Sequence, residues 1–235
     1  VIMRKIYRKI CSLLHLPTAG RQILDDIKQG KNTKGLILFL TAVILIFSGL
    51  YGMAIGSYLG GIQILYVLIK LPFFFLATLI LSVVSAFVLD AILGFHLHFK
   101  QYLTLVLLVL AATSLTLASL ASVLYFFILT SSSHDFIILV NVSLFSITGC
   151  FGVYAFFTAR RFILPQESQK KRLLALIMWF CLYGFIGLQM AWMLKPWVGL
   201  LKSGETTPFF RDDIRGNVYV EIYRAYDRLI KGDYY

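Results

Sequence analysis

An all-α polytopic membrane bundle of about five spans is the fold this sequence predicts, and three observations predict it. Apolar runs at about residues 36–60, 62–93, 101–130, 136–158 and 173–194 each reach the roughly 20 residues needed to cross a ~30 Å hydrocarbon core. The chain of 235 residues is 59% hydrophobic and only 14% charged, more apolar surface than a soluble core of this length can hide. The basic residues cluster beside the runs rather than within them, as anionic lipid headgroups favour. The net charge of +11 is therefore read as a lipid-facing rim, and no nucleic-acid partner is expected.

Residues 1–35 form a basic amphipathic leader. Ile2, Ile6, Ile10 and Leu13 fall at helical spacing, with Arg4, Lys5, Arg8 and Lys9 on the opposing face, the pattern of a helix lying on a membrane surface or docked on a neighbouring protein. Pro17 ends it, and a second short helix is expected around residues 21–29. The first apolar run is too long for a signal sequence and lacks a small-residue cleavage site, so it is expected to remain as a span; the numbering opens on Val1, and the start is read as lying upstream or at Met3.

The first span carries Ser48, Gly52, Gly56 and Gly60, each four residues from the last. That spacing stacks small residues on one helical face, where another backbone can approach closely. The partner, internal or a second subunit, is left open by the sequence.

The second run counts 32 residues, about 48 Å as one helix, and Pro72 is the expected site of a break or kink. Lys70 is the only basic residue within any run and, with Pro72 and Asp90, is the candidate intramembrane functional group. Two plainer readings of Lys70 are snorkelling to the interface and capping of carbonyls freed by Pro72. Asp90, twenty residues further on, is too far to pair with Lys70 along one straight helix and is expected to face an inner loop or a basic neighbour.

His96 and His98 are read as interfacial anchors, because their two-residue spacing does not put both imidazoles on one helical face. His134-Asp135 resembles a base with its orienting carboxylate, but no nucleophile can be named beside it. Arg160-Arg161 and the link Leu164-Pro165-Gln166-Glu167-Ser168-Gln169-Lys170-Lys171-Arg172 are read as a topology-fixing basic cluster. At the end of the fifth span, Trp192, Lys195 and Trp197 are the expected headgroup anchors. Residues 195–235 form an extramembrane tail whose Val218, Ile222, Tyr226 and Leu229 lie in helical register after a candidate cap at Asn217.

With the amino terminus inside, the inner segments hold 14 of the 22 Lys and Arg, and the outer turns at Gly60-Gly61 and residues 131–135 hold none. The positive-inside rule thus predicts a multi-pass protein of the cytoplasmic (inner) membrane, amino terminus in and tail out. Cys11, Cys150 and Cys181 sit far apart, which points to neither a disulfide framework nor a metal cluster.

Lys70-Leu71-Pro72, Gln189-Met190-Ala191-Trp192 with Lys195-Pro196, Pro208-Phe209-Phe210-Arg211 and Gly216-Asn217-Val218-Tyr219 resemble a bacterial family of small five-span membrane proteins. That family is distantly similar to the Yip-type proteins of vesicle traffic. The resemblance covers roughly residues 36–220 and implies no catalytic residues. The chain lacks the acidic, aromatic-rich leader through which the eukaryotic proteins meet GTPases, so a GTPase-linked role is not expected.

No run holds paired carboxylates, a histidine pair at i and i+4, or a serine beside a base, so an enzyme is not expected. The leading expectation is a non-catalytic accessory subunit that packs against or scaffolds other membrane subunits, bound to lipids and their anionic headgroups. The alternatives are a small transporter or channel built on Lys70 and a broken span at Pro72, and a membrane-shaping Yip-like protein. No cofactor is predicted, with a bound pigment or haem left open.

Overall fold

The computed structural model describes residues 21–95, 97–131, 133–166, 168–194 and 227. Every regular element among them is a helix: α1 (Arg21–Gln29), α2 (Thr33–Gly56), α3 (Ile62–Ile92), α4 (Phe99–Ser119), α5 (Ala121–Thr130), α6 (His134–Ile163) and α7 (Gln169–Met193). α4 and α5 abut at Leu120 and together make one span, so five helical segments are long and apolar enough to cross a membrane. The chain is a multi-pass helical membrane protein. The surface helix carrying Arg4, Lys5, Arg8 and Lys9, the anchors Lys195 and Trp197, and the helix expected after Asn217 lie outside the described residues.

Successive spans alternate in direction. α1, the α3–α4 turn and the α6–α7 link share one end, here called basal, and the α2–α3 and α5–α6 turns share the apical end. α3 runs unbroken through Pro72, so of the break or kink expected there the break does not occur. Proline has no N–H to give the Leu68 carbonyl four residues back. α2 passes this point at Gly49, where a Cβ would stand 3.6 Å from the Leu68 oxygen and 3.8 Å from Pro72 Cγ. Close packing by α2 therefore supports α3 across the missing bond.

The glycine stripe of α2 meets α3 of the same chain. A Cβ on Gly52 would lie 2.5 Å from the Val67 carbonyl oxygen, and one on Gly56 would lie 2.7 Å from Ile64 Cα. Ser48 is buried on α2 and donates its hydroxyl hydrogen to the Ile44 carbonyl at 2.5 Å. Gly60 departs from the expected stripe. It lies beyond the helix end, with φ of +73°, and a Cβ there would have no atom within 4 Å, so it serves the turn rather than a helix contact.

α4 is the central post of the bundle. Residues 104–115 are buried without interruption, more than three turns, which leaves no face of this stretch toward lipid. α2, α3, α6 and α1 surround it, and its Thr113 methyl group fills the space left by Gly152 of α6. By contrast, α6 and α7 bury only 22% and 17% of their most apolar stretches, against 72% for the α4–α5 span. Leu38, Ile46, Ile69, Phe73 and Ile80 point outward from α2 and α3, where hydrocarbon rather than water is the compatible solvent.

α1 is folded beneath this post rather than trailing from it. Ile23, Leu24 and Ile27 are buried, and the Gln101 side-chain amide donates to the carbonyls of Ile27 at 3.2 Å and Lys28 at 3.0 Å. The same side chain accepts the backbone N–H of His98 at 3.1 Å. One residue thus satisfies the last carbonyls of α1 and the start of α4.

Candidate functional site

The basal site begins with how α3 stops. Gly94 takes φ of +80°, its N–H donates to the Ala91 carbonyl at 3.0 Å, and the Phe95 N–H reaches back to the Asp90 carbonyl at 3.1 Å. This six-to-one closure needs a left-handed residue, which glycine supplies without a Cβ penalty. Its result is to fold Phe95 back over the turn that carries Asp90.

Arg160, one turn from the end of α6, meets both residues. Its Nη1 lies 2.5 Å from Asp90 Oδ2, with the two side chains only 1% and 8% exposed. Its guanidinium carbon sits 4.3 Å from the Phe95 ring centroid and 5.4 Å from that of Phe156. Phe156 in turn stacks on Trp179 of α7 at 4.3 Å, and Trp179 on Tyr183 at 5.3 Å. Nε and Nη2 of Arg160 have no hydrogen-bond partner among the described residues. A desolvated ion pair held by aromatic faces therefore joins the basal ends of α3 and α6.

The sequence pattern groups Arg160 with Arg161 in a topology-fixing basic cluster, and the structure gives the two different surroundings. Arg161 is exposed, whereas Arg160 is turned into the protein by Asp90 and Phe95. For Asp90 the expected surroundings are an inner loop or a basic neighbour, and Arg160 is such a neighbour.

Lys70 is wholly buried in the apical half of α3. A side chain with no exposure does not snorkel to the interface, so that reading is set aside. Lys70 and the Asp90–Arg160 pair are not brought together, since twenty residues of continuous helix separate Lys70 from Asp90. The buried face of α3 also holds Gln63, Thr78 and Ser82.

At the apical end, the Tyr51 hydroxyl donates to Asn141 Oδ1 at 2.9 Å, joining α2 to α6. His134 opens α6 and lies 5.7 Å from Tyr58, ring to ring. Burial first, and then the nearby Asp135 carboxylate, raise the Tyr58 hydroxyl above the usual tyrosine range. The Ser133 hydroxyl accepts the Phe136 N–H at 3.4 Å as a cap. His134 and Asp135 thus stand at a capped helix start. No group of three or more His, Cys, Asp or Glu side chains suited to a metal ion occurs among the described residues. His98 starts α4, His96 lies outside the described residues, and Trp192 sits half-buried in the last turn of α7.

Sequence reasoning missed Gly49, Gly152, Tyr51 with Asn141, and Gln101. The first two carried a signal, since small residues inside spans mark close helix approach. Gln101 carried one only weakly, as the third residue after a helix start.

No family model matches the chain, and no curated protein or solved structure matches it either.

Proposed function

We propose that this chain is a non-catalytic accessory subunit of the cytoplasmic membrane, amino terminus inside, that binds a partner's transmembrane helix along the outward face of α6. The observation that carries this reading is the composition of that face. Ser143, Ser146, Gly149 and Cys150 are all exposed, and a Cβ on Gly149 would meet no atom within 4 Å. Lipid tails gain nothing from small polar side chains, whereas an approaching helix gains backbone contact and hydrogen-bonding partners. The glycine stripe of α2, the small-residue surface that the sequence singles out, is already occupied by α3.

Cys150 is free and exposed on the same face, and with the equally exposed Cys181, and Cys11, replaced by serine it is a single probe. Crosslinking from Cys150 in native membranes is expected to give one discrete adduct heavier than the 26.7 kDa chain, and Gly149→Leu is expected to abolish it. A band at twice the chain mass would mean self-association instead, and an uncrosslinked monomer would count against any partner.

A second reading, transport, is favoured by Lys70 alone. A lysine sealed inside a span is costly and marks a pathway by default. Loss of proteoliposome flux in Lys70→Ala would support it, and equal flux from the variant would remove Lys70 from the argument. Membrane shaping in the manner of the Yip-type proteins rests on the leader around Arg4 to Lys9, outside the described residues.

A further inference from the structure

The start of α7 is charged against its own dipole. Its first turn contains Lys170, Lys171 and Arg172 and no acidic residue, although the amino-terminal end of a helix already carries about half a positive charge. Lys171 Nζ lies 3.8 Å from the position a Cβ on Gly94 would take, so this cationic turn borders the residue that folds Phe95 onto Arg160. Arg172 spends Nη1 on the Leu164 carbonyl at 3.4 Å, and its Nε is buried without a partner among the described residues. Arg160, 99% buried and 4.3 Å from the Phe95 ring of the same turn, has two further nitrogens in the same state, its pair with Asp90 using Nη1 alone.

Buried guanidinium donors left unmatched cost free energy, and clustered cations repel one another. An anion with several acceptor oxygens relieves both costs, and phosphate is the group whose geometry suits guanidinium forks and a helix start together. We infer that the Gly94-Phe95 turn, Arg160 and the Lys171-Arg172 turn of α7 form a binding site for an anionic phosphate group at the basal end of the bundle. A phospholipid headgroup and soluble phosphate share this chemistry.

The full chain in mild detergent tests it by two arms. In native mass spectrometry, phosphatidylglycerol is expected to be retained over phosphatidylcholine, and Lys171→Gln/Arg172→Gln is expected to weaken that retention by about tenfold. Arg161→Gln, an exposed charge at the same end, is the control and is expected to leave it unchanged. In the second arm, millimolar inorganic phosphate is added to delipidated protein; a rise in Tm that the double variant lacks identifies a soluble anion as the ligand. Asp90→Asn removes the negative charge beside Arg160 while keeping an acceptor oxygen there, and is expected to tighten binding of whichever probe binds. Equal loss in Arg161→Gln and the double variant, or no effect of either probe on the wild type, overturns the site.

Discussion

Arg160 and Asp90, seventy residues apart in sequence, are joined at 2.5 Å inside the basal end of the bundle. Their pairing ties the basal end of α6 to that of α3, and neither side chain has another ionic partner among the described residues. Removing one member leaves the other charge buried and uncompensated. Asp90→Ala or Arg160→Ala is expected to lower stability by about 3–5 kcal/mol, while an apolar pair of similar volume at both positions costs far less. A double-mutant cycle by thermal unfolding in detergent measures the coupling, and additive single effects would contradict it.

The glycines of α2 are predicted to differ by mechanism. Gly52→Ala or Gly56→Ala places a methyl group against the backbone of α3, which cannot rotate away, and is expected to cost about 1–3 kcal/mol or more as the helices separate. Gly60→Ala meets open space, and its cost is the left-handed backbone alone, about 1–2 kcal/mol. A Gly60→Asn variant therefore recovers much of the loss, whereas asparagine at Gly52 does not. Thermal unfolding of these variants separates the two causes.

Much of this fold was legible in the sequence, and the exceptions share a physical cause. The five spans stand within a few residues of the apolar runs, because a backbone in hydrocarbon must close its own hydrogen bonds as helix. Which span is central was not legible: lipid tails and protein interior both select apolar residues, so α4 reads like α7 until neighbours are seen. The burial of Arg160 was not legible for a similar reason, since a basic residue at a span end looks alike whether it meets a headgroup or a buried carboxylate. The one useful signal was Asp90, an acidic residue inside an apolar run with a need for a cation. Gly60 continues the four-residue spacing past the point where the helix stops, and spacing alone does not reveal a helix end.

Gln101 ties α1 to the bundle through two carbonyls. Gln101→Ala is expected to cost about 1–2 kcal/mol locally and to raise proteolytic nicking around residues 29–33, with the spans unaffected. Unchanged cleavage would mean that the buried Ile23, Leu24 and Ile27 hold α1 unaided.

Tyr51→Phe removes the hydroxyl that Asn141 accepts from, a hydrogen bond shielded from water. The expected loss is about 0.6–1.5 kcal/mol in thermal unfolding. Asn141→Leu in the Tyr51→Phe background is expected to restore part of it, because no polar group is then left unmatched.

Spin labels placed singly on the spans, and read by power saturation with oxygen and with a water-soluble nickel chelate, report the solvent at each position most directly. Labels at Ile69, Phe73 and Ile80 are expected to show high oxygen and low nickel accessibility, as hydrocarbon requires, and labels at Leu108 and Ala112 to be shielded from both. Nickel access at the α3 positions, or oxygen access at Leu108 equal to that at Ile80, would contradict a membrane bundle built around α4.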